Sequence, residues 1–291
     1  MNILVTGSNG QLGSEIKDIM ANYKDFRFFF RDLPALDICN SKQLALFFIE
    51  NSIDTVINCA AYTDVDKAEQ EAELAKKVNV EGVSNLVNAL AKVNGKLIHI
   101  STDYVFDGNN FLPYNELDEV NPLGVYGNTK RSGELAVLNS DIDGIVIRTS
   151  WLYSVYGNNF VKTMLRLGNE RDELGVIFDQ VGTPTNASDL AKTCLDILMY
   201  HNGTKINSKG NVYHFSNEGV ASWYDFAVAI MELGKVACLV KPIQTKDYPT
   251  LAKRPHFSVL NKTKIKTDFG IEIPYWRDAL GACIHKLKNT E

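Results

Sequence analysis

Tyr126 and Lys130 stand four residues apart in the stretch Tyr126-Gly127-Asn128-Thr129-Lys130. On a helix that spacing sets the two side chains on one face, one above the other. The run Arg131-Ser132-Gly133-Glu134-Leu135-Ala136-Val137-Leu138 can carry such a helix onward despite Gly133. An ammonium beside a phenol lowers the phenol's pKa from its ordinary value of about 10. A phenol tuned in this way can give a proton to an oxygen or take one from it. The same pair also arises by chance on surface helices, so its meaning depends on the rest of the chain.

The elements that would position this pair begin at the N-terminus. Residues 2–6 (Asn-Ile-Leu-Val-Thr) read as a short buried strand. They run into Gly7-Ser8-Asn9-Gly10-Gln11-Leu12-Gly13 and then a helix to about Ala21. Strand, glycine turn and helix form the setting in which glycines let backbone N–H groups approach a pyrophosphate. Gly7, Gly10 and Gly13 are therefore expected at a dinucleotide, although GxxGxxG is one residue off the usual spacing. A second strand, 26–30, ends at Arg31-Asp32. Asp32 lies 19 residues past Gly13, close to the separation of about 20 at which an acid takes the adenosine ribose hydroxyls. Arg31 would instead suit a 2′-phosphate, so NAD and NADP both remain open.

A helix over 41–51 and a strand over 55–61 follow, the strand ending in small residues against which a flat cofactor can lie. Cys59 in that strand reads as inert core. Helices over 65–71 and 75–93 precede a strand over 96–100 that ends in Ser101-Thr102-Asp103-Tyr104. A long loop, 106–122, leads to the Tyr126 helix, and a strand over 144–149 comes next. Such alternation predicts an α/β fold, a Rossmann-like doubly wound parallel sheet with its ligand crevice at the strand C-termini. Thr102 falls at one of those ends. Beyond Trp151 the rhythm loosens: helices over 160–170, 188–200, 222–233, 260–269 and 276–287, strands over 174–178 and 212–215. The division expected is a dinucleotide-binding domain over 1–150. A smaller C-terminal substrate-binding lobe would take 151–291, with some segments returning to the first domain.

Composition removes several function classes. With 30 basic against 35 acidic side chains, the net charge of −5 offers no broad surface for nucleic acid or anionic lipid. The five cysteines are scattered without a C-x-x-C pair, so neither zinc nor a disulfide framework is indicated. Signal-peptide and membrane-spanning patterns are missing, which points to the cytoplasm.

Taken together, TGSNGQLG, NCAAYTDVDKAE, STDYVFDG, YGNTK, RTSWLYSVYGNNFVKTML, DQVGTPT and RPHFSVLN resemble the extended short-chain dehydrogenase/reductases. Within that superfamily they are similar to the dTDP-4-dehydrorhamnose reductases, over essentially the whole chain. The resemblance implies that Tyr126 protonates the C4 oxygen of a nucleotide-linked keto-sugar as hydride arrives from NADPH or NADH. Lys130 would lower the tyrosine pKa and bond the nicotinamide ribose. Thr102 would hold the carbonyl oxygen where the wider superfamily has serine. Gly10, Gln11 and Leu12 would meet the pyrophosphate, Asp32, Asp37 and Ile38 the adenosine end, and Ala61, Tyr62 and Thr63 the nicotinamide side. Asp103 and Trp151 would line the sugar pocket. Arg254 is assigned to the substrate diphosphate, which suits its planar donor fork; a surface ion pair is the competing reading.

Related dehydratases carry Thr-Asp-Glu where this chain has Thr102-Asp103-Tyr104, so the base for water elimination is replaced and plain carbonyl reduction is favoured. Some members bind magnesium through glutamates at a dimer interface. Glu15 stands at one such position, but Ser188 stands where another acid is expected, which weakens the case for a metal and leaves monomer and homodimer open. Two other functions fit the same scaffold: a nucleotide-sugar 4-epimerase that recycles NAD, and a non-catalytic regulatory subunit.

Overall fold

A computed structural model describes residues 1–200 and 211–289. β1 (Asn2–Thr6) is buried along all but its first residue, as an apolar strand covered on both faces must be. It feeds α1 (Gln11–Ile19), which turns Leu12 and Ile16 inward. β2 (Arg27–Arg31), α2 (Ser41–Asn51) and β3 (Thr55–Asn58) come next. The Asn40 side chain caps α2 by accepting the Gln43 N–H at 3.1 Å. α3 (Val65–Ala68), α4 (Ala72–Lys76) and α5 (Val83–Ala91) lead to β4 (Lys96–Thr102). α6 (Val125–Leu138) and β5 (Asp143–Thr149) close the regular alternation.

The remainder is more broken: β6 (Leu152–Tyr153), α7 (Phe160–Glu170), β7 (Glu173–Ile177), β8 (Val181–Gly182), β9 (Thr185–Asn186) and α8 (Ala187–Tyr200). Then follow β10 (Val212–His214), β11 (Ala221–Ser222), α9 (Trp223–Gly234), β12 (Leu239–Ile243), α10 (Thr263–Phe269) and α11 (Trp276–Lys288). A capping box starts α9, with Ser222 and Asp225 bonding each other's backbone N–H.

The central sheet has six parallel strands in the order β10-β5-β4-β3-β1-β2. Helices cover both faces, as a doubly wound sheet requires. On one face Ile3, Val5 and Ile147 pack with Ile16 of α1 and with Leu190, Cys194 and Leu198 of α8. On the other, Leu4, Val56 and Leu97 meet Leu44 and Phe48 of α2 and Leu86 and Leu90 of α5. A separate core joins α7, α9 and α11 through Met164, Phe226, Ile230 and Leu280. Beside it β7 and β12 form a parallel pair. β10 thus belongs to the large sheet and α8 to its covering layer, although both lie beyond Trp151 in sequence.

Two elements differ from their sequence expectation in ways that shape the crevice. β3 stops at Asn58, so Cys59-Ala60-Ala61 leave the sheet as wall rather than strand. The helix expected over 75–93 is interrupted by a π-helical turn, Lys77–Gly82. That wider turn swings Asn79 inward until it is almost wholly buried; such turns recur at functional sites. Among the described residues no helix is long and apolar enough to cross a membrane, and all five cysteines are free thiols.

Candidate active site

β1, β3, β4 and β5 end on one side of the sheet, at a cavity of about 790 Å³. Its floor at β1 is the glycine turn. Gly7 adopts φ +59°, and a Cβ there would lie 2.7 Å from the Ala60 nitrogen, so the turn touches the loop after β3. Gly13 packs behind the turn: a Cβ would fall 2.6 Å from Gly7 O and from Ser8 Cα, and the residue is not on the wall. Gly10 differs from both, with nothing nearer to a Cβ than Gly7 O at 3.2 Å. Gly10, Gln11 and Leu12 line the cavity. No side chain caps α1, so its first N–H groups are left for an anion. An open cradle before an uncapped helix start fits a pyrophosphate.

The next stretch of wall holds Asp32, Asp37 and Ile38. The Asp32 carboxylate accepts N–H groups of Asn9 (3.0 Å) and Leu33 (2.8 Å) and is fixed at the end of β2. Arg31 turns away, its guanidinium 5.0 Å over the Phe47 ring and bonded to Phe30 O. Ala61, Tyr62 and Thr63 form the opposite wall. Their backbone is clamped by Asn79, whose Oδ1 accepts Tyr62 N–H at 2.9 Å and whose Nδ2 donates to Tyr62 O at 3.1 Å. The same Nδ2 reaches Thr129 Oγ1 at 3.1 Å, and Thr129 in turn donates to Tyr126 O. Asn79 therefore links the loop after β3 to the helix that carries Tyr126. Sequence reading passes over it, because an asparagine inside a helical run looks like a solvated face.

Thr102, at the end of β4, and Tyr126 and Lys130, on α6, share this cavity. Thr102 donates its hydroxyl to Asp103 Oδ1 at 3.0 Å and accepts Tyr104 N–H at 3.2 Å. The same hydroxyl neighbours the Tyr126 phenol and favours its ionised form. The Tyr104 ring meets the Tyr126 ring edge-on, centroids 5.4 Å apart. Lys130 is buried and donates to Ile100 O at 2.6 Å. These contacts correct the expected tuning of the phenol. Burial pushes Tyr126 up to about 12, the Thr102 hydroxyl pulls it back, and the Asp103 carboxylate raises it again. The lysine's own charge is the group most weakened, burial drawing it down to about 8.

Asp103 is buried with one oxygen, Oδ2, unpaired. Burial raises it to about 6, against the neighbouring Ser258 and Thr102 hydroxyls, which favour the carboxylate. Trp151 lines the cavity in a left-handed backbone conformation, φ +49°, and stacks on Trp223 at 3.6 Å. Trp223 is a second residue that the sequence does not announce, since it lies far along the chain in an ordinary apolar helix.

One expectation changes and one is extended. Arg254 is not on the cavity wall; it forms a forked ion pair with Asp66 of α3, at 2.6 and 3.3 Å, beside the Tyr62-Thr63 loop. Cys59 packs against the core on the α1 side of the sheet and also reaches the cavity wall; burial holds its thiol well above its ordinary range, so it is inert, as expected.

A magnesium site at Glu15 does not fit. That carboxylate is buried, accepts the Ser154 hydroxyl at 2.6 Å and is already paired with the Lys286 ammonium at 3.2 Å. Ser188 offers no carboxylate, and no three His, Cys, Asp or Glu side chains cluster among the described residues. A hard dication needs several oxygen ligands.

Comparison with known proteins places these features in a family. The profile described as "RmlD substrate binding domain" matches residues 1–289. The chain is 43% identical over 289 residues to a dTDP-4-dehydrorhamnose reductase of Aggregatibacter actinomycetemcomitans, covering 96% of each. It superposes with TM-score 0.92 and 42% identity on the crystal structure of a dTDP-4-dehydrorhamnose reductase from Clostridium acetobutylicum, over 99% of this chain and 100% of that one. A dTDP-4-dehydrorhamnose reductase from Bacillus anthracis, solved in complex with NADP, gives TM-score 0.91 at 36% identity, over 98% and 99% of the two chains.

Proposed function

Because the chain belongs to the RmlD substrate binding domain family, we propose that it reduces the C4 ketone of dTDP-4-dehydro-L-rhamnose with NADPH or NADH, Tyr126 giving the proton. The observation that carries the mechanism is the meeting of Thr102, Tyr126 and Lys130 on the wall that also holds the glycine cradle. When bound, the dihydronicotinamide supplies hydride to the carbonyl carbon. The chain's part is to hold the ketone oxygen and move one proton. The Tyr126 hydroxyl donates to that oxygen, where charge develops, and the Thr102 hydroxyl joins it by turning its one proton away from Asp103 Oδ1 as the ketone arrives. With the phenol at about 12 it is protonated at neutral pH. The alkoxide that forms is roughly as basic as hydroxide, so the transfer remains downhill. Lys130, one turn further along α6, offers the positive charge against which the phenolate forms.

Asp103 accepts a sugar hydroxyl through its unpaired Oδ2, and Trp151 presents a flat apolar face to the ring. Tyr104, packed edge-on to Tyr126, occupies the place of a third acid, so elimination of water lacks its base. At the adenosine end Asp32 suits free ribose hydroxyls, with Arg31 turned away onto Phe47. A place in the cytoplasm, as monomer or homodimer, accords with five free cysteines.

The test is direct. Purified protein with dTDP-4-dehydro-L-rhamnose should consume NADPH or NADH in step with product, and Tyr126→Phe should bind cofactor normally while losing about 10²–10⁴-fold in kcat. A 4-epimerase would instead retain NAD and consume none. Parental turnover in Tyr126→Phe would remove the tyrosine from the proton step.

A further inference from the structure

α6 carries Tyr126, Lys130 and Glu134 at successive four-residue steps, so the three share a face. Glu134 is wholly buried, yet its carboxylate collects four donors. Oε1 accepts the Ser101 hydroxyl at 2.6 Å and Arg148 Nε at 2.8 Å. Oε2 accepts Arg148 Nη2 at 2.9 Å and Arg131 Nη1 at 2.7 Å. Ser101 and Arg148 are paired across β4 and β5, and each directly precedes a cavity residue, Thr102 and Thr149. Arg148 is enclosed in its turn, lying 5.1 Å over the Phe106 ring and 3.4 Å from His214 Nε2. One carboxylate thus ties the ends of two strands to the helix, a turn beyond Lys130.

The proposed reaction makes no direct use of this cluster. Removing a carboxylate and a guanidinium from water is expensive, and packed apolar side chains often join elements equally well. A buried ion pair kept at this place calls for a reason beyond packing.

We infer that Glu134 is a positioning residue for the reduction: through Ser101 it fixes Thr102 against Tyr126, and it supplies the buried negative charge that keeps Lys130 an ammonium. The inference rests on the roles given above to Tyr126, Thr102 and Lys130. Gly133 makes the approach feasible, since a Cβ there would lie 2.4 Å from Asn79 O and push α6 off the π-helical turn. Glu134 is the foremost influence opposing the burial that drains Lys130 of its charge. Cys59 from the loop after β3 and His99 from β4 also face the lysine, Tyr126 stands one turn before it on α6, and Arg148 of β5 and Arg131 of α6 lie behind Glu134. Burial holds the Cys59 thiol and the phenol protonated and the His99 ring neutral. Among these groups Glu134 alone is negative at neutral pH.

Glu134→Gln keeps the shape and removes the charge. Two measurements are made on the full chain: the Lys130 titration, followed by the NMR shift of its labelled Cε, and kcat against pH. The Lys130 midpoint should fall by about one unit, and the alkaline limb of kcat should move with it. Ser101→Ala cuts the tether to Thr102 while leaving the carboxylate; it should lower kcat about tenfold with the Lys130 midpoint unmoved. A folded Glu134→Gln with the parental midpoint overturns the charge role. Parental kcat in Ser101→Ala overturns the tether, and that variant decides the matter should Glu134→Gln not fold. If the unmodified protein reduces no sugar, the reductase reading falls, and the lysine titration still judges Glu134.

Discussion

Asp103 shows how a single site residue can work against the fold that holds it. Its carboxyl titrates near 3.8 in an open chain and at about 6 in the folded protein. The folded state therefore grips the proton more tightly. That advantage is full below pH 4 and is lost as pH rises through 6, leaving a buried carboxylate that costs about 3 kcal/mol at pH 8. Asp103→Asn is expected to melt several degrees higher than the parent at pH 8 and close to it at pH 4. Calorimetry at the two pH values checks this, and equal shifts at both would deny the raised pKa. Kinetically, kcat/KM should fall on the acid side near 6, where Asp103 protonates, and on the alkaline side near 8, where Lys130 loses its charge. The asparagine variant should lack the acid limb alone. Tyr126, Lys130 and Thr102 are legible in the sequence because residue type, helical spacing and a strand end suffice to name them. The direction in which Tyr126 shifts is not legible, since spacing reveals a neighbour but says nothing of how dry the surroundings are.

At the level of elements, the turn between β1 and α1 separates packing from binding. Gly7→Ala forces a left-handed residue into Ala60 and should lower stability by about 1–3 kcal/mol in urea unfolding. Gly10→Ala meets only the Gly7 carbonyl at 3.2 Å and should unfold near the parental midpoint, yet weaken NADPH binding at least about tenfold by filling the cradle. Fluorescence titration gives the affinity; undiminished binding would move the pyrophosphate elsewhere. At the end of β2, Asp32→Ser should shift the kcat/KM ratio toward NADPH by about tenfold or more, because a carboxylate repels a 2′-phosphate. Comparing both cofactors in parent and variant tests it. Strands β1 to β5 and most helices are legible, their apolar periods being long and their ends marked by Gly, Asn or Ser. The π-helical turn is invisible, because one extra residue in a turn barely disturbs the period. Asn79 is lost with it. Arg254 is legible as a phosphate-type residue, but its pairing with Asp66, 188 positions away, is a matter of tertiary contact.

For the molecule as a whole, the first and last helices are joined across the chain by charge. Lys286 of α11 reaches both Glu15 and Asp18 of α1, and Tyr156 also bonds Asp18. An internal ammonium serves there as counter-ion, so EDTA should change neither the melting temperature nor the turnover. Lys286→Met should cost about 1–3 kcal/mol by stranding Glu15, and the added change Glu15→Gln should recover most of it. A melting point that drops on chelation would restore a metal. The doubly wound sheet is legible from its alternating pattern. Which later segments rejoin it is not, since the three residues of β10 carry too little pattern to name a partner. That return has a bearing on synthesis. The outermost strand and one covering helix of the cofactor half leave the ribosome long after α6. Until they arrive, β5 presents a bare edge and the face beside α1 lacks its second covering helix. A translation product stalled near residue 150 would hence be a clumping hazard and poor at capturing nucleotide, however complete its catalytic trio.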